Sequence, residues 1–488
     1  MKQLIDVIHQ SGLDNWQSRN ELAFKELFAS NSRYTERAKE KVTLRAPLIQ
    51  GEKNVSFAAY IHPDNPDSGA YGGMSFVIFP IEKGPCLVAL VIGTQGLSPD
   101  EEILARPGHA RKVKAICSWL NKKHGKGKIV AWAKQDPVRI DSNVPDIVKE
   151  QFSAYSAVFE RYGNVLYGIF APNNNKDATI DATTAFLDLM FEERGQYPRA
   201  AFKTDSAHLR SQYFSFLMPD TSEEYVLDLL NKRRFVILEG PPGTGKTRMA
   251  LRILNRAYKG KGFAVQFHPN ITYENFVGGL APLQTADAVG FKFAAQKGFL
   301  MKAAEEASKN TSKSYLLLID EINRADLSKI LGEAIYLLEA NSEEERELEL
   351  PYDFGEPFFN KLKLPNNLHI LGTMNSADRS IAIVDVAVRR RFAFVKLWPQ
   401  LKVLEETKAA EIMYTAFEKI ISIFVEYAGD ESFNLVPGHS YFIEKDQATA
   451  IQYLKVNLIP LLEEYLAQGY VASFSEPIRA YVQWIEGL

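Results

Sequence analysis

The sequence predicts an α/β protein in three parts. An α+β domain occupies residues 1–200, a parallel α/β core with a phosphate-binding loop occupies 201–398, and a helical lid occupies 399–488. Three observations carry this reading. Five short apolar runs, starting at Phe235, Phe263, Tyr315, Leu368 and Phe392, alternate with segments of helical spacing, as in a parallel sheet covered on both faces. The first run ends in Gly240-Pro241-Pro242-Gly243-Thr244-Gly245-Lys246-Thr247, which fits G-x-x-x-x-G-K-[ST] at a strand-to-helix turn. Beyond Trp398 the apolar spacing becomes helical, most clearly over 416–427 and 450–466.

Composition narrows the class. A chain of 488 residues, 46% hydrophobic and 24% charged, is an ordinary globular protein of several domains. Its 57 Lys and Arg against 60 Asp and Glu give a net charge of -3, so bulk charge points to no polyanion. Cys86 and Cys117 are the only cysteines and form no CxxC, which argues against a disulfide framework or a zinc site. The eight histidines include no i, i+4 pair, so the one metal expected is Mg2+ brought by a nucleotide. No secretory apolar core or membrane-spanning stretch is visible, and the expectation is a soluble cytoplasmic protein with no membrane partner.

The first part reads as α+β. Met74–Ile81 and Cys86–Ile92 flank Glu82-Lys83-Gly84-Pro85 as a hairpin, and helices are expected over 109–123, 146–162 and 180–193, with strands near 128–133 and 165–171. Irregular polar sequence with Pro198 and Pro219 marks the seam between Gly195 and Asp220. Thr221-Ser222-Glu223-Glu224 has capping-box spacing and opens the next helix. In the core, 278–293 and 346–364 read as inserted hairpins. There Tyr352, Phe354, Phe358 and Phe359 are more simply hairpin core than exposed contacts.

The candidate site follows from the strand ends. The glycines of 240–247 turn backbone N–H groups toward phosphate oxygens, Lys246 reaches the β- and γ-phosphates, and Thr247 ligates Mg2+. The third run ends in Asp320-Glu321. Asp320 is expected to hold Mg2+ through water and Glu321 to polarise the attacking water. The fourth run ends in Gly372-Thr373-Met374-Asn375, whose amide is placed to sense a γ-phosphate, and Asp378 is counted with the nucleotide site. A helix from Val384 finishes at Arg389-Arg390-Arg391. These guanidiniums either complement the helix dipole or act as a finger on a neighbouring subunit, with Arg389 and Arg390 as candidates.

At these residues the chain resembles the AAA+ NTPases, and within them the McrB-like proteins, motor subunits of modification-dependent restriction systems. The resemblance spans roughly 205–488. It rests on the loop 240–247, Asp320-Glu321-Ile322-Asn323-Arg324-Ala325, Met374-Asn375-Ser376-Ala377-Asp378-Arg379-Ser380, Arg389-Arg390-Arg391-Phe392 and Gly438-His439-Ser440-Tyr441-Phe442. It implies a homo-oligomeric ring, a hexamer, fuelled by GTP. ATP stays open, because neither Asn375 nor Asp378 decides the base. It also implies a separate McrC-like nuclease subunit of the PD-(D/E)xK type. The one acidic residue two positions before a lysine in this chain is Glu406, in Glu406-Thr407-Lys408, with no upstream Pro-Asp at the needed spacing.

In such proteins the N-terminal domain reads DNA, modified in some systems, but no motif in residues 1–200 carries that role over. The stretch from Arg106 to Lys134 holds nine Lys and Arg and no Asp or Glu. An apolar stripe of Val113, Ile116, Cys117 and Leu120 leaves Arg111, Lys112, Lys122 and Lys123 to meet phosphates. The bland alternative is a solvated basic face, and Trp119 and Trp132 read as core before base-stacking groups. Two rival functions remain: an ATP-driven remodeller that grips protein, and a nucleic-acid-binding module whose nucleotide site is only an assembly switch.

Overall fold

The computed structural model describes residues 1–49, 55–66, 69–93, 101–137, 141–283, 292–339, 346–377 and 385–488. The chain forms two compact units, Met1–Met218 with Phe424–Gly429, and Pro219–Ile423 with Asp430–Leu488.

The first unit is built on a six-stranded sheet of β1 (Thr43–Arg45), β2 (Ala58–Ile61), β3 (Met74–Phe79), β4 (Leu87–Ile92), β5 (Ala131–Ala133) and β6 (Leu166–Phe170). The order is β1-β2-β3-β4-β6-β5, with antiparallel neighbours throughout. Every residue of β3 and β4 is buried. Such strands are continuous apolar runs because both faces are covered. One face packs under Val144, Val148, Phe152 and Phe159. Helices α1 (Pro107–His124) and α2 (Lys176–Glu193) also pack against the sheet. The expected hairpin forms, whereas the helix expected over 146–162 is broken into Asp146–Gln151, a 3-10 turn and Ser156–Tyr162. A further helix, Lys203–Phe214, buries Leu209 and Tyr213 and packs on α1 and α2. The first unit runs to Met218, within the seam expected between Gly195 and Asp220.

The second unit contains β7 (Phe235–Gly240), β8 (Gly262–Gln266), β9 (Gly278–Leu283), β10 (Lys292–Lys297), β11 (Tyr315–Asp320), β12 (Glu347–Glu349), β13 (Lys361–Lys363), β14 (Leu368–Asn375) and β15 (Ala393–Lys396). Five of them make a sheet of order β15-β7-β14-β11-β8, parallel at every step. Successive side chains point to opposite faces of a strand. Phe235, Ile237, Leu317 and Ile319 accordingly enter one core, and Val236, Leu238, Leu316 and Leu318 the other. Helix α3 (Glu223–Arg233) precedes β7 and α4 (Lys246–Arg256) follows it. The cap of α3 differs from expectation: Ser222, not Thr221, accepts the Tyr225 N–H at 3.1 Å, while the Thr221 hydroxyl donates to the Lys396 carbonyl.

Both expected hairpins are present, as β9 with β10 and β12 with β13. The tip of the first lies outside the described residues. Phe354 and Phe358 are buried, whereas Tyr352 and Phe359 are exposed. The C-terminal part is helical, with Leu401–Thr407, Glu411–Tyr427, Gln447–Tyr453, Ile459–Ala467 and Ser475–Glu486 as its main segments.

Phe235 is fully buried beneath the sheet and meets the Phe392 ring at 6.0 Å. Phe235→Ala removes that contact and opens a cavity, a loss of about 3–5 kcal/mol. Calorimetry is expected to show a clear fall in melting temperature. A variant that melts with the wild type sinks the assignment of Phe235 as a keystone of this core.

Candidate functional site

The site begins where β7 ends. Gly243 and Gly245 have φ of 78° and 79°, a region in which a side chain is strained, and this lets the loop curl into the amino end of α4. Lys246 lies under the curl. Its Nζ donates to the carbonyls of Gly240 at 2.9 Å and Pro241 at 2.7 Å. Burial lowers its pKa to about 8, against smaller opposing effects of Asp320 and Glu321. A cation held by two carbonyls beside the N–H groups that open a helix is suited to phosphate oxygens.

Strand register brings up the acids. Asn375 is level with Gly240 across the β14–β7 pair, and Gly372 is level with Ile319 across β14–β11. Asp320 therefore emerges at the same carboxyl edge as the loop. Its Oδ1 accepts from the Thr247 hydroxyl at 2.7 Å and from the Thr373 hydroxyl at 2.5 Å. The Thr373 oxygen in turn accepts the Glu321 N–H at 3.0 Å. Thr373 thus ties the two acids together, a role sequence reading missed although the residue stands two before Asn375. Glu321 has a left-handed backbone, φ 52°, and its carboxylate pairs with Arg324. A hydroxyl and a carboxylate set this close are hard oxygen ligands that suit Mg2+, which takes its remaining ligands from water and phosphate.

Asn375 stands at the strand end as expected. Its side-chain oxygen accepts the Ala377 N–H at 3.1 Å and its carbonyl accepts from the Asn323 amide at 3.2 Å. Asp378 lies outside the described residues. Helix α5 (Val386–Arg391) starts at the Asp385 cap and ends at the arginines. Arg391 donates to the Ala387 carbonyl of its own helix at 3.0 Å, which is the dipole-complementing role. Arg389 stacks on Phe394 at 5.0 Å, and both it and Arg390 are exposed, with no ion pair among the described residues.

A second wall comes from the turn Gly438–Phe442. The Gly438 N–H donates to the Pro242 carbonyl at 2.9 Å and the Ser440 N–H to that of Gly243 at 3.0 Å. A side chain at residue 438 would strike the Gly243 backbone at 2.1 Å, so only glycine allows this approach. His439 Nδ1 accepts the Gln400 N–H at 3.2 Å. Burial, with Arg248, Lys246 and Lys402 nearby, lowers its pKa to about 4. The ring is therefore neutral at physiological pH. A cavity of 540 Å³ opens beside it, lined also by Thr244, Gly245, Arg248 and Trp398.

The basic window of the first unit is only in part the free face expected of it. Lys112 is buried and pairs with Glu193 and, at 2.8 Å, with Glu426. Arg111 donates to the carbonyls of Val425 at 2.9 Å and Ala428 at 2.7 Å. Both are withdrawn as phosphate contacts, because partners in their own unit already hold them. Lys122 and Lys123 are exposed, Lys122 over the Phe216 ring and Lys123 paired with Asp181. Trp119 is buried.

Comparison with known proteins gives a concordant result. Residues 235–392 match the AAA domain (dynein-related subfamily). The Type IV methyl-directed restriction enzyme EcoKMcrB subunit of Escherichia coli (strain K12) is 31% identical over 360 residues, covering 67% of this chain and 76% of that protein. The Type II restriction enzyme BsuMI component YdiS of Bacillus subtilis (strain 168) is 27% identical over 222 residues, 38% of this chain and 63% of that protein.

The lowered pKa of Lys246 has a measurable consequence. Its folded value of about 8 lies below the 10.5 of a free lysine, so the unliganded protein gains stability as pH rises between those values. A bound triphosphate favours the charged form, so binding takes up a proton above pH 8. Affinity for a triphosphate is expected to fall about eightfold from pH 7.5 to 9. In Lys246→Arg, charged throughout, whatever affinity remains should not follow that curve. Titration calorimetry across this range tests it, and identical curves for both proteins refute it.

Proposed function

The chain belongs to the McrB family, AAA+ nucleoside triphosphatases of restriction systems, and on that premise we propose that it is a GTP-hydrolysing ring motor. In this reading it binds DNA through its first unit and drives a separate McrC-like nuclease subunit. The observation that carries the motor is the meeting, at one sheet edge, of Lys246, Thr247, Asp320 and Glu321. Phosphoryl transfer needs little else from a protein than positioning, charge stabilisation and an oriented water.

Each residue has a task. Backbone N–H groups of 243–247 and Lys246 hold the phosphates. Thr247 and Asp320 hold Mg2+, which when bound neutralises charge that builds on the phosphate oxygens. Glu321 orients and polarises the attacking water, and Asn375 reports the γ-phosphate. Arg389 stacks on the ring of Phe394. With Arg390 it is exposed toward solvent, which suits a finger that enters the site of an adjacent subunit and favours a closed ring, a hexamer. The names of the two relatives support restriction as the biological setting.

For DNA, support narrows to the exposed end of α1 and the turn beyond it, where Lys122, Lys123, Lys126 and Lys128 are all exposed. Cations in that number bind a duplex by releasing counterions.

Three outcomes are expected. Glu321→Gln keeps triphosphate binding and oligomers and loses about 10²–10⁴-fold in turnover, read by phosphate release; undiminished turnover removes Glu321 from the mechanism. Arg389→Ala or Arg390→Ala loses about 10³-fold or more, and mixing either with Lys246→Ala restores part of it, because one supplies the finger and the other an intact acceptor site. Absence of rescue in mixed rings argues against action in trans. Lys122→Glu/Lys123→Glu weakens duplex binding by the full chain at least tenfold and flattens its dependence on log salt by about two. A double variant with wild-type salt dependence moves the DNA contact elsewhere.

A further inference from the structure

We propose that His439 is a nucleotide-contacting residue, whose Nε2–H donates to the nucleoside half of the bound triphosphate and so makes the turn Gly438–Phe442 one wall of the site. The inference rests on the triphosphate reading above and names a residue and a contact that reading leaves unassigned.

Three observations lead to it. The turn is locked to the phosphate loop by two backbone hydrogen bonds, Gly438 N–H to Pro242 and Ser440 N–H to Gly243. The position of His439 is thus set by the loop itself. Its Nδ1 is already occupied as an acceptor from the Gln400 N–H at 3.2 Å. In a neutral imidazole the proton must then reside on Nε2, which becomes a fixed donor. That nitrogen stands 3.5 Å from the point where a Cβ on Gly245 would lie, and the ring lines the 540 Å³ cavity with Thr244, Arg248, Trp398 and Gln400.

Charge separates the two halves of the ligand. Lys246 and the N–H groups opening α4 serve the phosphates, where charge-assisted bonds are strongest. A neutral N–H does not compete with them for an oxyanion. It matches an uncharged acceptor, a ribose oxygen or a ring acceptor of the base, and the cavity beside the loop is large enough for a nucleoside.

The test uses the full chain and four proteins. His439→Asn keeps an oxygen acceptor for Gln400 but has no group at the Nε2 position. His439→Gln extends an amide N–H toward that position. Lys246→Ala reports on the site as a whole. Binding of GTP and ATP is measured by fluorescence of labelled nucleotides, with inorganic tripolyphosphate as a competitor that lacks the nucleoside. His439→Asn is expected to weaken binding of the preferred nucleotide about five- to tenfold, to leave tripolyphosphate competition unchanged, and to melt with the wild type in the absence of nucleotide. His439→Gln should recover most of the loss. Nucleotide affinity of His439→Asn within twofold of wild type overturns the contact. An equal loss toward tripolyphosphate overturns the nucleoside assignment. If the wild type holds no triphosphate, or Lys246→Ala holds it as well as the wild type, the triphosphate reading itself fails, which no result confined to the His439 variants can produce.

Discussion

The parallel register of β7, β14 and β11 is the constraint on which the site depends. Gly240 and Asn375 are level, and Asp320 leaves its strand one residue beyond the pair Ile319 and Gly372. A one-residue slip of any of these strands turns every side chain to the opposite face. Asp320 would then lose the hydroxyls of Thr247 and Thr373, and the two apolar cores would receive each other's residues. The same alternation that seats Phe235, Ile237, Leu317 and Ile319 on one side of the sheet therefore sets where the strand-end groups Asp320 and Thr373 emerge. Core packing and the geometry of the strand-end groups are one specification here.

Within that frame the polar groups hold one another through contacts a ligand can replace. Lys246 donates to neutral carbonyls, Asp320 accepts from two hydroxyls, and Glu321 pairs with Arg324. Bonds from an ammonium to phosphate oxygens are stronger than bonds to carbonyls. A triphosphate at this site would exchange the neutral partners of Lys246 for charged ones. The turn Gly438–Phe442 differs: its bonds to Pro242 and Gly243 are backbone bonds that leave the N–H groups of the phosphate loop free. It buttresses the loop from outside and does not compete for the ligand.

The second unit was largely legible from sequence because its chemistry is local. A phosphate loop is a contiguous string, and strand-end acids follow apolar runs that both faces of a parallel sheet make continuous. What escaped notice was held in pairs distant along the chain. Thr373 meets Asp320 and the Glu321 N–H, and His439, visible in sequence only as part of the motif 438–442, meets the Gln400 N–H. The cap of α3 moved by one residue because the Thr221 hydroxyl is taken by a carbonyl on β15, a competition invisible in a four-residue motif. In the first unit β1 and β2 and the helix Lys203–Phe214 lacked a clear periodic signal. The helix is polar along most of its length and earns its place through Leu209 and Tyr213.

The basic window shows why a run of cations is not yet a surface. Lys112 and Lys123 are eleven residues apart on α1, three turns of helix, and so point the same way. Amphipathic spacing cannot separate them. Lys112 nevertheless sits buried between Glu193 and Glu426, while Lys123 is exposed at the helix end. The difference comes from what packs against each turn. Burial alone would depress the Lys112 pKa, and the two carboxylates outweigh it and raise the value. A lysine so enclosed is committed: removing one partner of such a buried group typically costs about 3–5 kcal/mol, more than one exposed phosphate contact returns. Counterion release is open to the exposed cations of this element, Lys114 and, at its C-terminal end, Lys122 and Lys123, and is closed to Lys112.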